Sequence, residues 1–458
     1  MTLAKLVVLV LLGAGGEPDA QVLVQQLGST RYAQREDAAK ALEVQGRLAL
    51  PSLRVARESR DPEVRTRAAA LVERIESSLL VRPTLVRLNY RDRLLAEVVK
   101  DLADQSQIPL SLFPENNPLW TSKRITLQES DPVPFWKALD LIGQQAQIQP
   151  MQVGGRGNAL NLVPGNGHLA LPTSDSGPFR TRLQGINHDR HRTFDMAQAP
   201  VLFGGQPQAA PPGLPAIGNV PGHATDNFYF NIQLLVEPRM NLSQPGTVKL
   251  TEAVDDKGQS LLPPAASTTS ARHSGFNGYT PGGQTNLTMI CPLRFPDQPG
   301  TTITRLRGVV PLIVSARKDD PTTISLADAK GKSFEAGELT LIVNDMRVEP
   351  NNPQVTILDL TLRLGSAQGD QGQNRAAINA LAFHTPNTPN GQFEILDAQG
   401  KSYPQWMPMS QQFGTVESRL VLSLPPQAGL GAPAQIRVYD TMRVNTEATF
   451  EFQNIPMP

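Results

Sequence analysis

"FEILDAQGKSYPQW", Phe393–Trp406, decides how the second half of this chain is read. Its Gly400-Lys401-Ser402 is the closing triplet of a phosphate-binding loop, "DAKGKSF" at Asp328–Phe334 repeats it, and "DDKGQSL" at Asp255–Leu261 is a close variant. A loop that cradles phosphate needs G-x-x-x-x-G-K-[ST], because the early glycine lets backbone amides curl around the anion. Leu326 and Ile395 occupy that early position before Gly331 and Gly400, and both belong to alternating apolar runs. A tight turn explains every position instead. An aspartate at the first place bonds its own turn backbone, and a glycine at the fourth tolerates positive φ before the return strand. The three copies predict one structural turn and no bound nucleotide.

Working outward, the surroundings of the turn look duplicated. "FYFNIQLLVEPRMN" (228–241) matches "QVTILDLTLRLGS" (354–366), and "VKLTEAVDDKGQSLLP" (248–263) matches Phe393–Trp406. "TNLTMICPLRFPDQPGTTITRLRGVVPLIV" (285–314) matches "SRLVLSLPPQAGLGAPAQIRVYDTMRVNTEATFEF" (418–452). Period-two alternation broken by Pro/Gly turns predicts strands. The expectation is two tandem β-sandwiches, immunoglobulin-like in architecture, over 177–318 and 321–458 with the boundary at Lys318–Pro321. "FRTRLQGINHDRHRTFDM" (179–196) reads as a long strand or hairpin. The aperiodic Pro, Gly, Ala and Gln tract at 197–224 reads as a loop.

Residues 81–165 read as a small α/β domain. "PTLVRLNY" is a strand, and "DRLLAEVVKDLADQSQ" is a helix with Leu94, Leu95, Val98, Val99 and Leu102 on one side. "IPLSLF" and "RITLQES" are strands. "DPVPFWKALDLIGQQAQ" is a second helix, capped by Asp131, with Phe135, Leu139 and Ile142 inward. "IQPMQV" and "NALNLVP" close a hairpin across "GGRGN". On "LAEVVKDLADQSQIPLSLFP", "RITLQES" and "FWKALDLIGQQAQIQP", the segment resembles the short N-terminal (STN-like) domain of secretins and TonB-dependent receptors. The resemblance implies a periplasmic module that binds protein partners or assembles side by side and carries no catalytic residues. No barrel or pore segment follows here, so the expectation is a reused docking module.

Upstream, "STRYAQREDAAKALEVQG" offers Ser29 or Thr30 as N-cap, Ala38, Ala39 and Leu42 at helical spacing, and Gly46 as stop. "LALPSLRVARES" is a short helix. "DPEVRTRAAALVERIESSL" starts with Asp61 as cap and Pro62 at the first helical place, with Val64, Ala68, Leu71, Val72 and Ile75 as its apolar stripe. The wording resembles HEAT-type helical repeats over 17–80, which implies a cap on the next domain or a short partner-binding surface. "MTLAKLVVLVLLGAGG" (1–16) has one lysine before the apolar run Leu6–Leu12 and small residues after it, the pattern of a secretory signal peptide. Export to the periplasm or cell surface is therefore expected, with no membrane span in the mature chain. No cysteine at the cleavage region suggests a lipid anchor. This combination is similar to that of exported multi-domain proteins of Planctomycetes-type bacteria.

Composition narrows the chemistry. Charge is balanced at 42 basic and 42 acidic residues, which argues against a nucleic-acid footprint. The helical arginines Arg54, Arg57, Arg60, Arg65, Arg67 and Arg74 are interleaved with Glu58, Glu63, Glu73 and Glu76, a solvated mixed-charge face. The single cysteine, Cys291, excludes an intrachain disulfide and reads as a buried strand residue.

"NHDRH" holds His188, Asp189 and His191. Side chains three apart on a strand do not converge on a metal, so a polar turn is preferred. His273 beside Ser274 lacks a G-x-S-x-G elbow. "GDQGQN" (369–374) lacks the D-x-[DN]-x-[DN]-G pattern of a calcium loop. Tyr403, Trp406, Phe276 and Tyr279 could form an aromatic platform for a sugar, although core packing explains such residues more simply. No catalytic, cofactor or metal residue is assigned. The expectation is a non-enzymatic envelope adaptor docking a protein through 81–165. The alternatives are a surface glycan-binding protein and an enzyme with an unrecognised site.

Overall fold

The computed structural model describes residues 19–151, 160–165, 171–192, 224–245, 247–263, 272–273, 286–318, 320–337, 339–364, 393–404, 406–413 and 417–458. It is a mixed α and β protein rich in strand. The signal-like residues 1–16, the "GDQGQN" loop, Ser274, Phe276 and Tyr279 lie outside the described residues, as does the Pro/Gly tract up to 223. The chain divides after Arg82 into two compact units.

The first unit holds α1 (Ala20–Gln26), α2 (Tyr32–Gln45), α3 (Leu50–Ala56) and α4 (Pro62–Leu80). Asp61 caps α4, its Oδ1 accepting from the Glu63 and Val64 amides at 2.9 and 3.4 Å. The predicted stripe of α4 is buried throughout, sharing one core with Leu23, Leu27, Leu42 and Leu53. The N-cap of α2 is Arg31 rather than Ser29 or Thr30, and Ser29 Oγ instead accepts from the Arg31 amide at 3.2 Å. The arginines face glutamates across the helices: Arg54 meets Glu76 at 2.8 Å, Arg67 meets Glu36 and Glu63 at 2.9 and 2.6 Å, and Arg74 meets Glu43.

The second unit begins with the α/β module. Its elements are β1 (Leu85–Val86), β2 (Asn89–Leu94), α5 (Leu95–Ser106), β3 (Leu110–Leu112), α6 (Leu119–Ser122), β4 (Arg124–Gln128), β5 (Val133–Pro134), α7 (Phe135–Ala146), β6 (Ile148–Met151) and β7 (Leu160–Pro164). β2 pairs with β4 and β1 with β5, while β3, β7 and β6 form a sheet in that order. β3 runs parallel to β7, and β6 is antiparallel to it. The inward faces of α5 and α7 bury the residues their spacing predicts, Val98, Val99 and Leu102 against Phe135, Leu139 and Ile142. Pro134, not Asp131, is the N-cap of α7.

Next come β8 (Thr173–Ser176), β9 (Phe179–Arg192), β10 (Ala224–Val236), β11 (Asn241–Pro245), β12 (Lys249–Asp255), β13 (Arg272–His273), β14 (Asn286–Leu293) and β15 (Thr302–Arg317). One sheet has the order β13-β14-β10-β9-β8. In the other, β11 and β12 pair with successive parts of β15. The chain then forms β16 (Thr322–Ser325), β17 (Ser333–Ala336), β18 (Leu339–Glu349), β19 (Asn352–Leu364), β20 (Phe393–Asp397), β21 (Met407–Phe413), β22 (Glu417–Leu424), β23 (Pro433–Val438) and β24 (Thr441–Pro456). The sheets β16-β23-β20 and β17-β18-β19-β22-β21 close on one core, with Ile395, Ile436 and Phe393 on one side and Leu341, Leu360 and Leu422 on the other.

The strand pairing corrects the expected division at Lys318–Pro321. β24 does not join the second pair of sheets. It runs antiparallel to β15 from Thr302↔Pro456 to Arg317↔Thr441 and completes the first pair. Phe450 of β24 lies 6.3 Å from Phe230 of β10, between ring centroids, so the two sheets meet through it. The second pair, Thr322 to Tyr439, is thus inserted between two adjacent strands of the first. At the crossing, the Lys318 amide donates to the Asp440 carbonyl at 2.8 Å, Lys318 Nζ meets Asp440 Oδ2 at 2.6 Å, and the Arg317 guanidinium stacks 4.2 Å above the Tyr439 ring.

Candidate functional site

The densest polar chemistry lies where the α/β module meets the β8–β10 sheet. The alternation of β9 puts Arg180 on the sheet face turned toward α7, and only 1% of it is exposed. Its Nε and Nη2 donate to the two oxygens of Asp175 on β8, each at 2.7 Å. Its Nη1 and Nη2 donate to the two oxygens of Asp140 on α7 at 2.6 and 2.7 Å. The guanidinium also sits 5.3 Å over the Trp136 ring, whose Nε1 donates to the Pro178 carbonyl at 3.0 Å. Burial alone would weaken the hold of Arg180 on its proton, but the two carboxylates more than reverse this, so its pKa is raised.

A second clamp lies on the same junction. Glu237, just past β10 and fully buried, accepts from the Thr84 amide and hydroxyl at 2.9 and 2.6 Å and from Arg239 Nε at 2.7 Å. Leu235 of β10 belongs to the apolar core of the α/β module. One face of α7 and the start of the module are therefore committed to the sheet. Among the described residues, the large apolar side chains the module leaves exposed are Leu85, Phe113 and Met151. Phe113 extends β3, its amide donating to the Leu162 carbonyl at 2.9 Å.

The repeated Asp-x-x-Gly turns are a structural device in two of their three places. Asp397 is fully buried, and its Oδ1 accepts from the Gln399 and Lys401 amides, both at 2.9 Å. Its Oδ2 reaches out of the turn to the Gly431 amide at 3.1 Å, just before β23. Asp255 repeats the arrangement with Lys257, Gln259 and Gly300 at 3.0, 2.7 and 3.0 Å, just before β15. Burial raises the Asp397 pKa, but the three amides outweigh it and the net shift is downward. Gly258 and Gly400 both have φ of 77°, as the turn requires. The third copy shares the positive φ, 76° at Gly331, but not the buried aspartate: Ala329, not Asp328, is the buried residue, and the segment crosses from β16 in one sheet to β17 in the other.

We expect Asp397→Ala to lose about 2–4 kcal/mol, since three amides on the turn and before β23 lose one shared, buried acceptor at about 1 kcal/mol apiece. Asp397→Asn should recover part of that, because it keeps one acceptor oxygen. Denaturant titration of the second pair of sheets would measure both, and an Asp397→Ala protein as stable as its parent would refute the assignment.

The other candidates resolve individually. His188 and His191 stand on one continuous strand, paired with Phe228 and Thr225, so "NHDRH" is strand and not a turn. His188 Nε2 lies 2.5 Å from Asp226 Oδ1, and its ring stacks on Phe295 with 3.8 Å between centroids. Asp189 instead accepts from the Tyr229 hydroxyl at 2.9 Å. The two acids thus serve different partners. Among the described residues no group of three or more potential ligands converges on a metal-sized space.

Tyr403 and Trp406 are core residues. The Tyr403 hydroxyl donates to the Gly431 carbonyl, and Trp406 stacks on Phe393 with centroids 5.6 Å apart, so neither offers a sugar platform. Cys291 is buried on β14, which pushes its thiol up to about 12. Among the described residues no helix is long and apolar enough to cross a membrane. No protein-family model matches the chain, and neither a curated protein nor a solved structure matches it.

Proposed function

We propose that this is an exported, non-enzymatic protein of a bacterial envelope that acts by protein–protein contact, as an adaptor or assembly subunit beside a secretion or outer-membrane complex. The α/β module is its docking element. The observation that carries this reading is the division of the module's surface. Its α7 face is held to the β8–β10 sheet by Arg180, while Phe113, half exposed at 50%, continues the edge strand β3. An edge strand flanked by an exposed aromatic residue suits addition of a partner strand, with main-chain bonds giving affinity and the side chain selectivity. The reading also draws on the secretin-type resemblance of the module's sequence, and the helical first unit, HEAT-like in its wording, supplies a further partner-binding surface. The immunoglobulin-like sheets serve as spacers. A glycan-binding role for the β-rich part is weakened by the burial of Tyr403 and Trp406.

The test is a photoreactive residue placed at Phe113, with one at Met407 on β21 as comparison, in the full chain in its native host. Envelope proteins of a secretion, pilus or receptor complex should crosslink at position 113 and not at 407. Crosslinks at neither position, with retention on cell-wall polysaccharide, would overturn the adaptor reading.

A further inference from the structure

Two residues beyond Arg180 on β9, and so on the same sheet face, stands Arg182, which is 6% exposed. Its Nε and Nη2 are buried and make no hydrogen bond among the described residues. These two nitrogens form one edge of the guanidinium, with parallel N–H bonds spaced to meet two oxygens of one anion. Arg180 shows what that edge takes in this protein, since its own Nε and Nη2 are closed by both oxygens of Asp175. A second buried polar atom without a partner, Asn231 Oδ1, belongs to the neighbouring strand. Arg182 is in register with Gln233 of β10, and Asn231 lies two residues from Gln233 on the same face, just past a register shift that sets Asn231 opposite Gly185. Diagonal neighbours of this kind are about 7–8 Å apart, so one compact molecule can reach both.

Charge sharpens the chemistry. Asp140 and Asp175 together with Arg180 leave one negative charge, which Arg182 balances, so what Arg182 lacks is hydrogen-bond acceptors and not a counter-charge at a distance. Burial first, and then the nearby Arg180, lower its pKa to about 10. It is still a cation at neutral pH, and a buried cation without acceptors is costly to keep. On the other side of Arg182 the register places Thr173 of β8, which is exposed, so the sheet edge opens to solvent beside the arginine.

We propose that the Nε–Nη2 edge of Arg182 receives the carboxylate of a small hydroxy or amino acid, whose hydroxyl or N–H donates to Asn231 Oδ1. Nothing in this rests on the docking role of the module, and its failure would leave that reading as it stands.

Thermal melting of the full chain in sodium glycolate, acetate, phosphate and chloride at matched ionic strength tests it. Anions that bind the folded state raise the melting temperature in proportion to their excess over Kd. Glycolate should raise it by several degrees, acetate by less because it lacks the donor, and chloride not at all. Arg182→Met should remain folded and lose both responses. Arg182→Lys, which keeps the charge but not the two-pronged edge, should lose most of them. Asn231→Leu should reduce the glycolate response to that of acetate. Equal melting in all four salts would show that water alone satisfies Arg182. A glycolate response that survives in Arg182→Lys would place the binding elsewhere, and a response to phosphate above both carboxylates would overturn the assigned class. Each of these results sinks the proposal.

Discussion

Arg180→Met should cost about 3–4 kcal/mol and loosen the α/β module from the sheet beneath it. Replacing a whole buried ion pair by apolar residues is often neutral, but removing one partner is not, and typically costs about 3–5 kcal/mol. Here the guanidinium is 1% exposed and holds Asp140 and Asp175 through four hydrogen bonds. Without it, two carboxylates are left beside one another and one pays in solvation. Their side chains are 28% and 36% exposed, so water relieves part of the penalty and the lower half of the range applies. The stacking on Trp136 is lost as well, worth up to about 2 kcal/mol when shielded from water. Arg180→Lys should recover less than half, because a lysine cannot meet either carboxylate with two parallel bonds. Tryptophan fluorescence reports the change directly, since Trp120 and Trp136 lie in the module and a Trp406→Phe background removes the third. An Arg180→Met midpoint in urea within experimental error of the parent would show that the module is held by apolar packing alone.

That junction illustrates what the sequence made legible and what it did not. The amphipathic spacing of α5 and α7 and the Asp61-Pro62 start of α4 are local signals, and each acts within a few residues of itself. The same holds for the Asp397 turn, where the aspartate bonds amides two and four residues on. Arg180 and Arg182 sit in "FRTRLQG", where alternation suggests a solvent-facing polar side, yet that side is covered by a helix forty positions earlier in the chain. Nothing in the spacing of "RTR" marks a face buried by a different domain. The Asp328 copy has the same Gly-Lys-Ser as the Asp397 turn but another setting, because its flanking strands go to opposite sheets. Strand partnership is the least local property of all. The repeat matching 285–314 to 418–452 aligns β14 with β22 and the start of β15 with β23, as the Gly300 and Gly431 contacts agree. The matched span runs into the final strand as far as Phe452, and alternation alone cannot say which sheet that strand joins.

Removing β24 by ending the chain at Asp440 should therefore unfold the first pair of sheets and spare the second, although the cut falls next to the second. β24 contributes the buried side chains Ala448, Phe450, Phe452 and Ile455. The three large ones alone bring about 1.5–3 kcal/mol each, roughly 5–9 kcal/mol together, against about 5–15 kcal/mol for the stability of a whole domain. The fit is specific as well as apolar: a Cβ on Gly308 of β15 would stand 2.5 Å from the Phe450 ring, so β15 is shaped to this strand. The far edge of β24 is also engaged, the Thr449 and Glu451 amides donating to the Ser176 and Ser174 hydroxyls of β8 at 3.3 and 3.1 Å. Truncation would strip one side of β15, unseat β8 and, through Asp175, slacken the hold on Arg180. The Thr322–Tyr439 segment keeps its own core of Leu341, Leu360, Leu422 and Ile436 and should fold as an isolated fragment. Limited proteolysis of the truncated chain should cut within β9 to β15 and leave a resistant piece starting near Thr322. Gly308→Val, which keeps every residue of β24 but denies Phe450 its seat, should show the same pattern in milder form. If the truncated chain instead resisted cleavage across β9 to β15 and was cut within β16 to β23, the pairing of β15 with β24 would be wrong and the two pairs of sheets would follow one another as independent domains.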